Sequence, residues 1–136
     1  VNRIAKAGFA SALAGLALFT VAARPAEAAN FTGTWSISGT MAHGNVGAKV
    51  SPVCTLRQSG NALSGTCRGP NGAGAATGTV NGSRVLWQWH VTATNSIGMS
   101  GVMTFHGTLG ADNVVRGTWT ASPIPGGVGE FTQIRA

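Results

Sequence analysis

From Phe31 onward, apolar and polar residues alternate in short runs, and no stretch carries the three-to-four-residue spacing of an amphipathic helix. The clearest run lies within 83–93. There Val85, Trp87, Trp89 and Val91 share one face, and Arg84, Leu86, Gln88 and His90 share the other. Successive side chains of a strand point to opposite faces, so period-two alternation predicts half-buried strands. Runs of this kind predict about eight strands, near 31–38, 48–58, 63–69, 74–80, 83–93, 99–109, 115–121 and 128–135. Gly, Asn and Pro separate them, the punctuation of tight antiparallel connections.

A Gly-Thr pair recurs at Gly33, Gly39, Gly65, Gly78, Gly107 and Gly117. Glycine lets a sheet bend sharply and threonine favours the pleated surface. The predicted fold class is therefore all-β: a small antiparallel barrel of about eight up-and-down strands.

Turn signals predict registers. A loop at 59–62 sets Cys54 opposite Cys67 and Leu56 opposite Gly65. Directly opposed cysteines on antiparallel strands can bridge, so one disulfide is expected. A two-residue turn at Asn81-Gly82 sets Trp87 opposite Ala76 and Trp89 opposite Gly74. A loop near Asn95-Ser96 sets Trp87 opposite Phe105, Trp89 opposite Met103 and Val91 opposite Gly101. A five-residue loop at 110–114 brings Trp119 beside Phe105, whereas a four-residue loop would turn Trp119 outward. Large side chains then meet small ones, as a narrow barrel interior requires. The opposite face carries Arg84, Gln88, His90, Thr104, His106, Arg116 and Thr118. An outer-membrane barrel needs an apolar band there, so the barrel is not expected to be membrane-embedded.

Ahead of the alternating region, Arg3 and Lys6 precede an uncharged, small and apolar stretch over 7–23, then Arg24-Pro25 and Ala26-Glu27-Ala28. This is the layout of a cleavable signal peptide. The expected organisation is a leader over 1–28 and a single barrel domain over 29–136, exported to the periplasm or secreted. An oxidising compartment agrees with the expected Cys54–Cys67 bond.

Charge narrows the function. Residues 29–136 carry six basic side chains (Lys49, Arg57, Arg68, Arg84, Arg116, Arg135) against Asp112 and Glu130. The bases are scattered, with no run and no aromatic interleaving, so no nucleic-acid partner is expected. Two distant acids make a poor general acid–base pair. No G-x-S-x-G nucleophile motif is present. No catalytic residue and no cofactor are expected. His90 and His106 share the outer face about 13 Å apart at the usual rise, and His43 belongs to the glycine-rich loop 41–47, read as flexible rather than as a lid. No metal site is expected from them.

Two features resemble the calycin group of barrels, which includes lipocalins, avidins and small bacterial protease inhibitors. Gly33-Thr34-Trp35 matches the first-strand G-x-W pattern. Arg135, in Phe131-Thr132-Gln133-Ile134-Arg135, stands where such barrels place a basic residue over that Trp. The resemblance implies a cation–π lid of Arg135 on Trp35 closing one barrel end. The chain departs from avidins in having no Tyr and no Asp in its last strand. It departs from the inhibitors in having only Ala29 and Asn30 before the first predicted strand.

Two functions follow as expectations. In the first, a small hydrophobic or ring-bearing ligand enters a cup lined by Trp35, Trp87, Trp89, Met103, Phe105 and Trp119. In the second, the same aromatics fill the interior and loops bind a protein partner, as in a protease-inhibitor barrel.

Overall fold

The computed structural model describes residues 29–42, 49–122 and 127–136. The predicted leader, His43 with most of its loop, and most of the Pro123–Gly127 connection lie outside the described residues. Among the described residues nine strands form one antiparallel sheet: β1 (Gly33–Met41), β2 (Lys49–Val50), β3 (Val53–Ser59), β4 (Ala62–Arg68), β5 (Gly72–Asn81), β6 (Arg84–Ala93), β7 (Gly101–Leu109), β8 (Val115–Ser122) and β9 (Gly127–Arg135). Each strand from β3 onward pairs with the next. β9 returns to β1 from Trp35↔Arg135 through Met41↔Gly129, which closes the barrel and leaves β1 no free edge there. Among the described residues no helix is long and apolar enough to cross a membrane.

The predicted strand 48–58 is divided. β2 and β3 meet β1 in one continuous register, Thr40↔Lys49 and Gly39↔Val50, then Ser36↔Val53. The ladder breaks at Ser51-Pro52 because proline has no N–H to donate. Its carbonyl still accepts from Ile37 N at 3.0 Å. β2 and β3 thus share one of eight positions around the ring. The first strand also begins later than the alternation predicts. Phe31 and Thr32 precede it, and Phe31 N donates to the Gln58 side chain at 2.8 Å.

The β3–β4 hairpin has the expected pairing of Cys54 with Cys67, on a turn tightened to Gly60-Asn61. The two cysteines are disulfide-bonded with Cα atoms 4.0 Å apart. The β5–β6 hairpin corrects the expected register. Asn81 pairs with Arg84, so the turn is Gly82-Ser83, and Trp87 opposes Gly78 while Trp89 opposes Ala76. Positive φ is confined to Gly82 at 61°. A turn needing left-handed backbone only at its first central residue takes Gly there and leaves Asn81 in the ladder. The slip is two residues, so every side chain keeps its face. The registers of β6 on β7 and of β7 on β8 are those expected, including Trp87↔Phe105, Trp89↔Met103 and Phe105↔Trp119.

Inward positions form one core. Trp35, Trp87, Trp119, Phe31 and Phe105 are its largest fully buried side chains. On the outside Arg84, Gln88, His90, His106, Arg116 and Thr118 are exposed, and Thr104 is half-buried.

Candidate functional site

The two barrel ends differ. At the end where β1 begins, the segment before Gly33 lies across the opening. Ala29 N donates to Gly82 O at 2.9 Å, and Trp35 Nε1 donates to Phe31 O at 2.8 Å. The Arg135 guanidinium stands 4.2 Å from the Trp35 ring centroid. It also donates to Thr32 O at 2.9 Å and Asn30 O at 2.6 Å. One side chain therefore ties the last strand to the first strand and to the segment before it. This end is closed.

The middle is filled. Trp87 stacks on Phe105 with centroids 4.1 Å apart and planes 10° from parallel. Phe105 meets Phe131 edge-on at 5.1 Å. Gln133 is fully buried on β9, and neither its amide nitrogen nor its oxygen has a hydrogen-bond partner among the described residues. Nothing in the alternation marks this position as different from an apolar one.

At the opposite end the core stops short of the rim. It leaves an apolar hollow of about 130 Å³, walled by Met41, Trp89, Val91, Met99, Met103 and Trp119. Trp119 reaches this depth because β1 and β9 offer it glycines. A Cβ at Gly39 would stand 2.9 Å from its Nε1, and one at Gly129 2.8 Å. That nitrogen donates to Glu130 O at 3.2 Å, whereas the buried Trp89 Nε1 has no partner among the described residues. A groove of about 460 Å³ adjoins the hollow, shares Met41, Trp89, Val91 and Met99 with it, and adds Lys49, Pro52 and Asn71.

The loop over 94–100 forms part of the rim and is braced. Asn95 Nδ2 donates to Asn71 Oδ1 at 2.9 Å, and Asn95 Oδ1 accepts from the backbone of Ile97 at 3.1 Å and Gly98 at 3.0 Å. Such an Asx-type turn fixes backbone direction. It holds Ile97 75% and Met99 57% exposed.

The six predicted cup residues thus divide by depth. Trp89, Met103 and Trp119 wall the hollow, while Trp35, Trp87 and Phe105 lie in the filled core. Met41, Val91 and Met99 belong to the walls and were not anticipated. Met99 lies in the loop before β7, although the predicted strand began at 99 and put it on the face of Met103.

Among the described residues no charged side chain lines the hollow, and Lys49 lies at the adjoining groove. Asp112 and Arg116 form an exposed ion pair at 2.8 Å in the β7–β8 turn, and the Arg116 hydrogen bond holds the Asp112 carboxyl below its usual value. His90 and His106 are exposed opposite Val102 and Leu86. Among the described residues no three of His, Cys, Asp and Glu converge. Comparison with protein-family models, curated proteins and solved structures gives no match.

Proposed function

We propose that this protein is an exported, calycin-like binding barrel rather than an enzyme, and that its ligand presents an apolar ring to the open end. The hollow walled by Met41, Trp89, Met103 and Trp119 carries this reading. Its size sets the ligand class. An apolar cavity near 150 Å³ accepts a benzene-sized guest, whereas pockets for drug-sized ligands run to several hundred Å³. A hollow of about 130 Å³ therefore suits one ring or a short branched chain, not a whole acyl chain. The rest of the ligand would lie in the adjoining groove, beside Lys49, Pro52 and Asn71.

The test is binding of a naphthylamine fluorophore to the wild type and to Ala121→Phe. Ala121 is half-buried on the hollow wall, far from the closed end. The wild type should bind saturably with changed Trp emission. Ala121→Phe should fold and lose the binding. A folded wild type that takes up no apolar probe would reject the reading.

The exposed Ile97 favours a second reading, in which the braced loop docks on a protein partner. Ile97→Ser would then abolish partner capture while leaving the fluorophore bound.

A further inference from the structure

All three methionines of the chain line the same hollow. They come from three separate places: Met41 ends β1, Met99 lies in the loop before β7, and Met103 lies within β7. The large side chains in the remainder of the core are Trp, Phe, Ile, Leu, Val and Gln133. Methionine is thus not the general gap-filler of this barrel. Its use is confined to one spot, beside two indoles.

A thioether sulfur is a soft, uncharged and polarizable donor. Soft donors favour Cu(I) and its heavier congener Ag(I) over the hard or borderline divalent ions that carboxylates and imidazoles hold. The other soft donor, a thiolate, is absent here because Cys54 and Cys67 are joined to each other. A thioether needs no deprotonation and does not pair into a disulfide, so it can serve where thiols are oxidised. An indole face attracts a cation placed over it, the more strongly the less water surrounds the pair. Trp89 and Trp119 supply such rings in the same walls.

We propose that Met41, Met99 and Met103 hold one soft monovalent cation, Cu(I) or Ag(I), against the indoles of Trp89 and Trp119. The site needs no change in the metal's oxidation state and no other ligand. It goes beyond the apolar-ligand reading and does not depend on it. Where both hold, metal and apolar ring compete for one space.

The experiment is titration of the folded full chain with Ag(I), read by NMR of methionine methyl groups and by Trp fluorescence. The methyl signals distinguish the hollow from metal bound at the exposed His90 or His106. The expected result is one equivalent bound, with the signals of Met41, Met99 and Met103 shifting together and indole emission quenched. Met99 is 57% exposed, so Met99→Leu should fold as the wild type does. It should bind Ag(I) at least about tenfold more weakly. Ag(I) that leaves the three methyl signals in place, shifts only one of them, or binds Met99→Leu undiminished would overturn the proposal. Failure of the fluorophore alone would instead reject the apolar-ligand reading.

Discussion

Arg135 on the last strand and Trp35 on the first are ladder partners, and the guanidinium of one lies 4.2 Å from the ring centroid of the other. The barrel is closed at its seam by backbone pairing and at its end by this contact. Arg135 also holds two carbonyls of the segment before β1. Arg135→Ala should lower unfolding stability by about 1 kcal/mol or more, because it removes an exposed cation–π contact worth about 0.5–1 kcal/mol and two hydrogen bonds from a charged group. Arg135→Lys should recover only part, because an ammonium lacks the planar fork. Denaturant midpoints check both. Fluorophore binding at the far end should be unchanged.

The Cys54–Cys67 bond joins neighbours on one hairpin, 13 residues apart in sequence. A loop of this size is worth roughly 3 kcal/mol in the chain-entropy account. Replacing both cysteines with Ala should lower the unfolding midpoint accordingly. The circular dichroism of the fold should persist, because the β3–β4 ladder does not depend on the bond.

Gln133 is the one buried polar side chain of the described core, and both ends of its amide are unpaired. A buried polar atom left without a partner costs about 1–3 kcal/mol. Gln133→Met keeps the volume and removes the polar atoms, so it should raise stability by about 1 kcal/mol or more. A loss of stability in chemical denaturation would mean that the amide holds an internal water.

Asp112 has its carboxyl pKa lowered from 3.8, first by the Arg116 hydrogen bond and next by the Val114 backbone N–H. A depressed folded value means that the pair favours the fold above the unfolded pKa, and that this contribution is lost as pH falls through the folded value. The pair is exposed, so its effect on stability is small and screened by salt. Carboxyl NMR should show Asp112 titrating below an ordinary aspartate, and Arg116→Ala should move it back upward.

Much of this fold was legible because alternation reports which face a side chain takes. In β6, Val85, Trp87 and Trp89 point inward because the apolar set keeps period two throughout. Between β7 and β8 the residues allowed a four- or a five-residue loop, and the structure has the five-residue one, with Phe105 opposite Trp119. The β5–β6 register slipped by two because Asn81-Gly82 and Gly82-Ser83 are both plausible turns, and the parity of the strand is the same for either. Pro52 was visible as a residue but not as a break, since its neighbours still alternate. The site was legible only in part, for a different reason. Alternation says inside or outside, not how far along the barrel axis a side chain lies. Depth depends on strand stagger, so Trp35 and Trp87 looked equivalent to Trp89, although only Trp89 reaches the hollow. Met99 reaches it from a loop whose path is set by Asn95, a long-range consequence of pairing with Asn71.

The proposed function places the ligand in the hollow at the end away from Arg135, and not in the filled middle. Its most direct test is an NMR titration with a single-ring apolar compound, followed through the four indole N–H signals. Trp89 and Trp119 should shift saturably, with Trp35 and Trp87 unmoved. Shifts at Trp35 or Trp87, or no saturable shift at any indole, would contradict it.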